Sequence, residues 1–133
     1  ETRDSLDPVT RTVMRDRVTD LWRQAEALRL TNWRAREASK SGNPGPEGSV
    51  TKMMSAEMNQ RIYETCMDLL GADGMVYEAG YERKRPTGFR GPGIHPRYAF
   101  LRSRANTIEG GTSEVMRNIL GERLLGLPRE PRP

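Results

Sequence analysis

Met14, Val18, Leu21, Ala25, Leu28, Asn32 and Ala35 recur at alternating spacings of four and three. That rhythm is one face of an α-helix, expected over about residues 7–39. Asp7 and Pro8 mark its start, the carboxylate able to accept a first-turn N–H and the proline sitting where a missing N–H costs nothing. Such a helix spans roughly 45 Å, more than a globule of this size needs, and so points to packing along an extended bundle. Trp22 and Trp33 fall off the narrow seam, placed to widen the buried face or to meet a neighbour.

Ser41-Gly42-Asn43-Pro44-Gly45-Pro46-Glu47-Gly48 is dense in glycine and proline, which ends one helix and reverses the chain. Ser49 is placed to cap a second helix over about 50–70, with Val50, Met54, Met58, Ile62, Cys66 and Leu70 forming a ridge at spacing four. Gly71 ends it, and Ala72-Asp73-Gly74 makes a tight turn. Residues 77–97 carry neither helical nor strand periodicity. Pro96 opens a short helix to about 105, with Phe100 and Leu101 expected inward and Arg97, Arg102 and Arg104 outward.

Gly110-Gly111 then turns the backbone, and Thr112 or Ser113 can cap a last helix over about 112–125 whose first turn carries Glu114. Val115, Met116, Ile119, Leu120 and Leu124 form its apolar stripe, and Gly126-Leu127-Pro128 stops it. Residues 128–133 read as a frayed tail. No strand pattern or internal repeat occurs, so the expected class is all-α.

At 133 residues, with 35% hydrophobic and 30% charged side chains, the chain can bury a modest core at most. That composition suits a helical surface around a thin core, or helices that complete their burial against another domain or subunit, and the second is the favoured expectation. Cys66, the one cysteine, excludes an intrachain disulfide and reads as a small buried hydrophobe. His95, the one histidine, excludes His-based triads and multi-histidine metal sites within the chain. No apolar run of about twenty residues and no amino-terminal apolar segment occurs, so the reading is a soluble, cytoplasmic protein without a membrane span.

The net charge of +4 is unevenly spread. Arg83, Lys84, Arg85, Arg90, Arg97, Arg102 and Arg104 face Glu82 alone between residues 81 and 104, a local excess of +6 that leaves −2 elsewhere. Such a band suits coenzyme phosphate, acidic groups on a partner, or nucleic acid. It is not interleaved with a docking motif, which disfavours a basic nucleic-acid module.

The run from Arg102-Ser103-Arg104 through Ile108-Glu109-Gly110-Gly111-Thr112-Ser113-Glu114 to Gly126-Leu127-Pro128 resembles the C-terminal signature of the acyl-CoA dehydrogenases. Residues 26–32 and 44–52 resemble the two preceding helices of the same domain. The resemblance implies most of a C-terminal helical bundle, incomplete at its N-terminal side, within an oligomeric FAD-dependent enzyme. It implies acyl-CoA as substrate, electron-transfer flavoprotein as electron acceptor, and homo- or hetero-oligomeric partners.

By the same resemblance, Thr112 and Glu114 contact the flavin nucleotide and Gly111 makes a backbone contact to the acyl-CoA. Asp68, Leu69, Leu70, Gly71 and Ala72 occupy positions that touch the flavin of another subunit. The family usually has glutamine at Asp68 and a second glycine at Ala72; an ionised Asp68 accepts hydrogen bonds but donates none.

The implied reaction is oxidation of an acyl thioester to the α,β-enoyl-CoA, in which a desolvated carboxylate removes the α proton. In many relatives that base immediately precedes the Gly-Thr pair, a position held here by Gly110. Glu109 is one residue too early. No catalytic residue is therefore assigned, and two alternatives stand: the base lies elsewhere in the subunit, or the chain is a noncatalytic member of a mixed oligomer. An acyl-CoA oxidase shares the bundle and differs in how oxygen reaches the reduced flavin, so both remain open at the level of the sequence.

Overall fold

The computed structural model describes residues 6–42, 45–76 and 95–129. Its elements are α1 (Pro8–Lys40), α2 (Glu47–Leu70), a 3₁₀ turn (Gly71–Met75), α3 (Pro96–Ser103), a second 3₁₀ turn (Arg104–Thr107) and α4 (Ser113–Leu124). The described residues contain no strand.

Asp7 starts α1 as its composition requires: Oδ1 accepts from the N–H groups of Val9 and Thr10, each at 3.0 Å. The Thr10 hydroxyl and then the Thr10 N–H hold the Asp7 carboxyl below its ordinary range. Because the folded value is depressed, the cap contributes above the ordinary carboxylate range and is lost as pH falls through the depressed value. The protection of the Val9 and Thr10 amides, taken against the intrinsic exchange rate at each pH, should therefore fall as the pH drops through that depressed value.

α2 begins earlier than its serine signal. Ser49 and Val50 both donate to the Pro46 carbonyl, at 3.0 and 3.3 Å, so the first turn has formed before Ser49 can cap it. Pro46 occupies the N-cap position without a side-chain hydrogen bond. The proline's fixed φ pre-sets the turn, and Glu47 places an acidic group in it. At the other end Gly71 adopts a left-handed φ of 56° and its N–H returns to the Met67 and Asp68 carbonyls.

α2 is the hub. It packs on α1, α3, α4 and both 3₁₀ turns, whereas the main contacts of α1 are with α2. Polar contacts between α1 and α2 fix an antiparallel register: Arg17 pairs with Asp68, Gln24 accepts from Arg61 at 3.2 Å, and Arg34 lies 3.4 Å from Glu47. One partner buries only a narrow stripe of a long helix. Of the expected α1 seam, Leu28 is buried and Met14, Leu21, Asn32 and Ala35 are half-buried, while Val18 and Ala25 face outward. Trp22 and Trp33 are 69% and 60% exposed.

The core around α2 is thin and built largely from small side chains: Ala56, Thr65, Ala99, Ser103 and Ser113, with Leu28 and Met116 as its larger members. Small residues let helix backbones approach closely. Ser103, 1% exposed, satisfies its hydroxyl on the Phe100 carbonyl at 2.7 Å, which makes a polar group tolerable there. Two expectations for α3 change. Leu101 is 54% exposed, and the three arginines are half-buried. Arg104 lies 4.5 Å over the Phe100 ring and bonds Glu64 at 2.8 Å, so stacking and pairing draw it onto the surface of α2. No helix among the described residues is long and apolar enough to cross a membrane.

Candidate functional site

The approach to the glycine turn is built by α3. His95 caps that helix, its Nδ1 accepting from the Arg97 N–H at 3.3 Å, and Pro96 takes the first helical position. The backbone then tightens through the 3₁₀ turn, with Ile108 and Glu109 both donating to the Ala105 carbonyl. From α2, the Gln60 amide clamps this segment, donating to the Thr107 hydroxyl at 2.9 Å and to the Ser103 carbonyl at 3.3 Å.

Gly110 and Gly111 follow with φ of 69° and 104°. A Cβ on Gly111 would stand 2.5 Å from the Met116 Cε, whereas one on Gly110 would have nothing nearer than Lys52 Cε at 3.9 Å. Position 111 thus favours glycine for its backbone, and the end of the flexible Met116 side chain fills the space a Cβ would take. Thr112 caps α4, its hydroxyl accepting from the Val115 N–H at 3.3 Å, and the Lys52 ammonium of α2 donates to the Gly111 carbonyl.

Glu114 is exposed in the first turn of α4, where its own N–H and then the Thr112 hydroxyl hold its carboxyl below the ordinary range. Arg117, one turn on, bonds Glu57 at 2.7 Å and is thereby tied to α2. Glu109 is held bidentately by Arg102 at 2.8 and 3.0 Å. An exposed carboxylate clamped by a guanidinium is not a desolvated base, and Gly110 has no side chain to offer.

Beside the turn lies a groove of about 560 Å³, lined by residues that include Leu28, Lys52, Ala56, Asn59 and Glu109. A second groove, of about 550 Å³, opens at the far end of α2, where Met67, Gly71, Met75, Val76 and Phe100 form largely apolar walls around Asp68. The Asp68 carboxylate is engaged by Arg17. Sixteen residues of α2 separate Lys52 from Asp68, about 24 Å along the axis. The turn residues Gly111, Thr112 and Glu114 therefore gather at one end of α2, and Asp68, Leu69, Leu70, Gly71 and Ala72 at the other.

The profile of the acyl-CoA dehydrogenase C-terminal domain matches residues 5–125. The chain belongs to the acyl-CoA dehydrogenase family. It is 33% identical over 120 residues to acyl-CoA dehydrogenase IpdE1 of Mycobacterium tuberculosis, covering 89% of this chain and 28% of that protein. Over 115 residues it is 31% identical to acyl-CoA dehydrogenase FadE34 of the same organism, covering 86% of this chain and 14% of that one. The solved steroid ACAD Tcur3481-Tcur3483 superposes with a TM-score of 0.66 at 26% identity, over 88% of this chain and 29% of that one. The chain thus spans less than a third of the length of these relatives. Within the family, FAD-dependent oxidation of acyl-CoA is the general activity.

Of the basic band, residues 83, 84, 85 and 90 lie outside the described residues; Arg102 and Arg104 are occupied by Glu109 and Glu64. Cys66 is half-buried, and burial pushes its thiol up, away from the thiolate a nucleophile needs. Sequence reasoning did not single out Lys52 or Gln60. Lys52 had a signal in being a lone cation in the run Val50-Thr51-Lys52-Met53-Met54.

Proposed function

We propose that this chain supplies flavin and subunit contacts to an FAD-dependent acyl-CoA dehydrogenase that oxidises an acyl-CoA thioester to the α,β-enoyl-CoA. The observation that carries the reading is the turn itself: two left-handed glycines deliver Thr112 as the cap of α4, next to a groove that Lys52 and Glu109 help to line. The residues fit a flavin dinucleotide. Glycine at 111 lets the main chain approach closely, the start of α4 favours negative charge, and apolar walls flank Gly71 at the far end of α2.

Bound flavin would supply the hydride acceptor. This chain's part is to bind and orient: Gly111 through its backbone toward the thioester, and Thr112 and Glu114 toward the nucleotide. Asp68, Leu69, Leu70, Gly71 and Ala72 would serve the flavin of another subunit. The separation of about 24 Å between the two clusters supports that division, because each end of α2 then faces a different ligand. Electron-transfer flavoprotein would take the electrons onward.

Gly110 favours a second reading, a noncatalytic subunit in a mixed oligomer whose partner carries the base. The name of the solved relative joins two designations and calls it a steroid ACAD, so steroid thioesters belong beside straight-chain ones in any substrate trial. A basic nucleic-acid module gains nothing from Arg102 and Arg104, which are spent on carboxylates of this chain.

Native mass spectrometry of the protein purified from its own cells tests these readings. A homo-oligomer with one FAD per chain supports a catalytic subunit. A second, different subunit with half that flavin supports the mixed oligomer. An assembly with no flavin, which gains none on incubation with FAD, overturns both.

A further inference from the structure

The glycine pair is the most deformable point of the proposed site, and its own backbone does little to hold it. Among the described residues, the nonhelical backbone hydrogen bonds run from Glu109 to Ala105 on one side and from Met116 to Thr112 on the other, with none spanning Gly110 or Gly111. A Gly-Gly pair has the widest choice of alternative conformations of any dipeptide. Something outside the turn must select the one observed.

The polar contact that reaches it from another element is the Lys52 ammonium, part-buried on α2, which donates to the Gly111 carbonyl across 59 residues of sequence. Lys52 also runs its methylene stem beside Gly110, its Cε being the nearest atom to where a Cβ there would stand. Two turns along α2, Gln60 holds Thr107 and Ser103, so α2 grips the segment before the turn and the turn itself separately. Buried Ala56 lies between the two grips and brings the backbones close.

The geometry points to Lys52 as the positioning residue of this site, the side chain that locks the Gly110-Gly111 turn so that Gly111 and Thr112 face their ligands. It acts through the turn and need not touch flavin or thioester. The inference rests on the proposed reading of Gly111 and Thr112, and its test separates the two.

Hydrogen exchange of the peptide spanning residues 108–117 is compared in the full natural assembly for wild type, Lys52→Met and Lys52→Arg, with FAD retention measured on the same samples. Lys52→Met should accelerate exchange there tenfold or more while α1 peptides keep wild-type rates. Lys52→Arg, which retains a charged donor long enough to reach the carbonyl, should restore protection. FAD affinity should fall about tenfold in Lys52→Met and recover in Lys52→Arg.

Unchanged exchange in Lys52→Met overturns the inference, as does a loss of FAD without a change in exchange, which would mean direct contact. Accelerated exchange with unaltered FAD affinity upholds the positioning role and removes Thr112 as a flavin contact. If Lys52→Met exposes α1 as well, Lys52→Gln replaces it: its shorter amide cannot reach the carbonyl, and the same local acceleration is expected.

Discussion

Replacing Gly111 with alanine should lower stability by about 2–4 kcal/mol, through a left-handed backbone that alanine resists and a methyl group forced onto Met116. The two costs have separate sources. With φ at 104°, alanine is strained whatever space surrounds it, and its Cβ would stand 2.5 Å from the Met116 Cε. That methyl is the end of a flexible side chain and can move, but Met116 is one of the few larger members of the core, so moving it loosens α4 from α2. Gly110→Ala is the control. Its φ of 69° carries a backbone penalty of about 1 kcal/mol, with open space around the new methyl. Urea unfolding of both variants checks this; equal losses would show that Met116 does not constrain the turn.

Leu28→Ala should cost about 2–3 kcal/mol, the lower part of the range for a buried leucine. Leu28 is 8% exposed, the one buried residue of α1, and lies where α1 meets α2. It also borders the groove beside Lys52, so one wall is already open and the neighbours can relax into the space left behind. Val18→Ala, on the same expected seam, should change stability by less than about 0.5 kcal/mol because Val18 faces outward. Thermal unfolding of the pair distinguishes a one-sided α1 from a two-sided one. A large loss at Val18 would mean that the outer face, with Trp22 and Trp33, is covered in the assembly.

The contrast between Leu28 and Val18 shows where reading the sequence stops. Spacings of four and three place Met14, Val18, Leu21, Ala25 and Leu28 along one side of a helix, and so they lie. How much of that side is buried depends on how many helices lean on it, and periodicity carries no information about the number or angle of partners. The same limit applies to α3. Leu101 is as apolar as Phe100, but Phe100 gains a guanidinium stacked on its ring whereas Leu101 turns to solvent.

Local chemistry was legible residue by residue. Asp7-Pro8, Gly71, Pro96, Gly110-Gly111 and Thr112 each act within three or four positions of themselves, and caps, turns and left-handed glycines are decided by neighbours in the chain. The start of α2 departs from the expected cap at Ser49 because Ser49 is a good cap in isolation while Pro46 and Glu47 begin the turn before it. The all-α class and the acyl-CoA dehydrogenase resemblance were likewise written in the order of the residues. Tertiary structure alone decided that α2 is the hub, that Arg102 engages Glu109, that the two proposed ligand clusters stand at opposite ends of one helix, and that Lys52 reaches Gly111. The Lys52–Gly111 contact joins residues 59 positions apart, and contacts at that range arise only once the helices have packed.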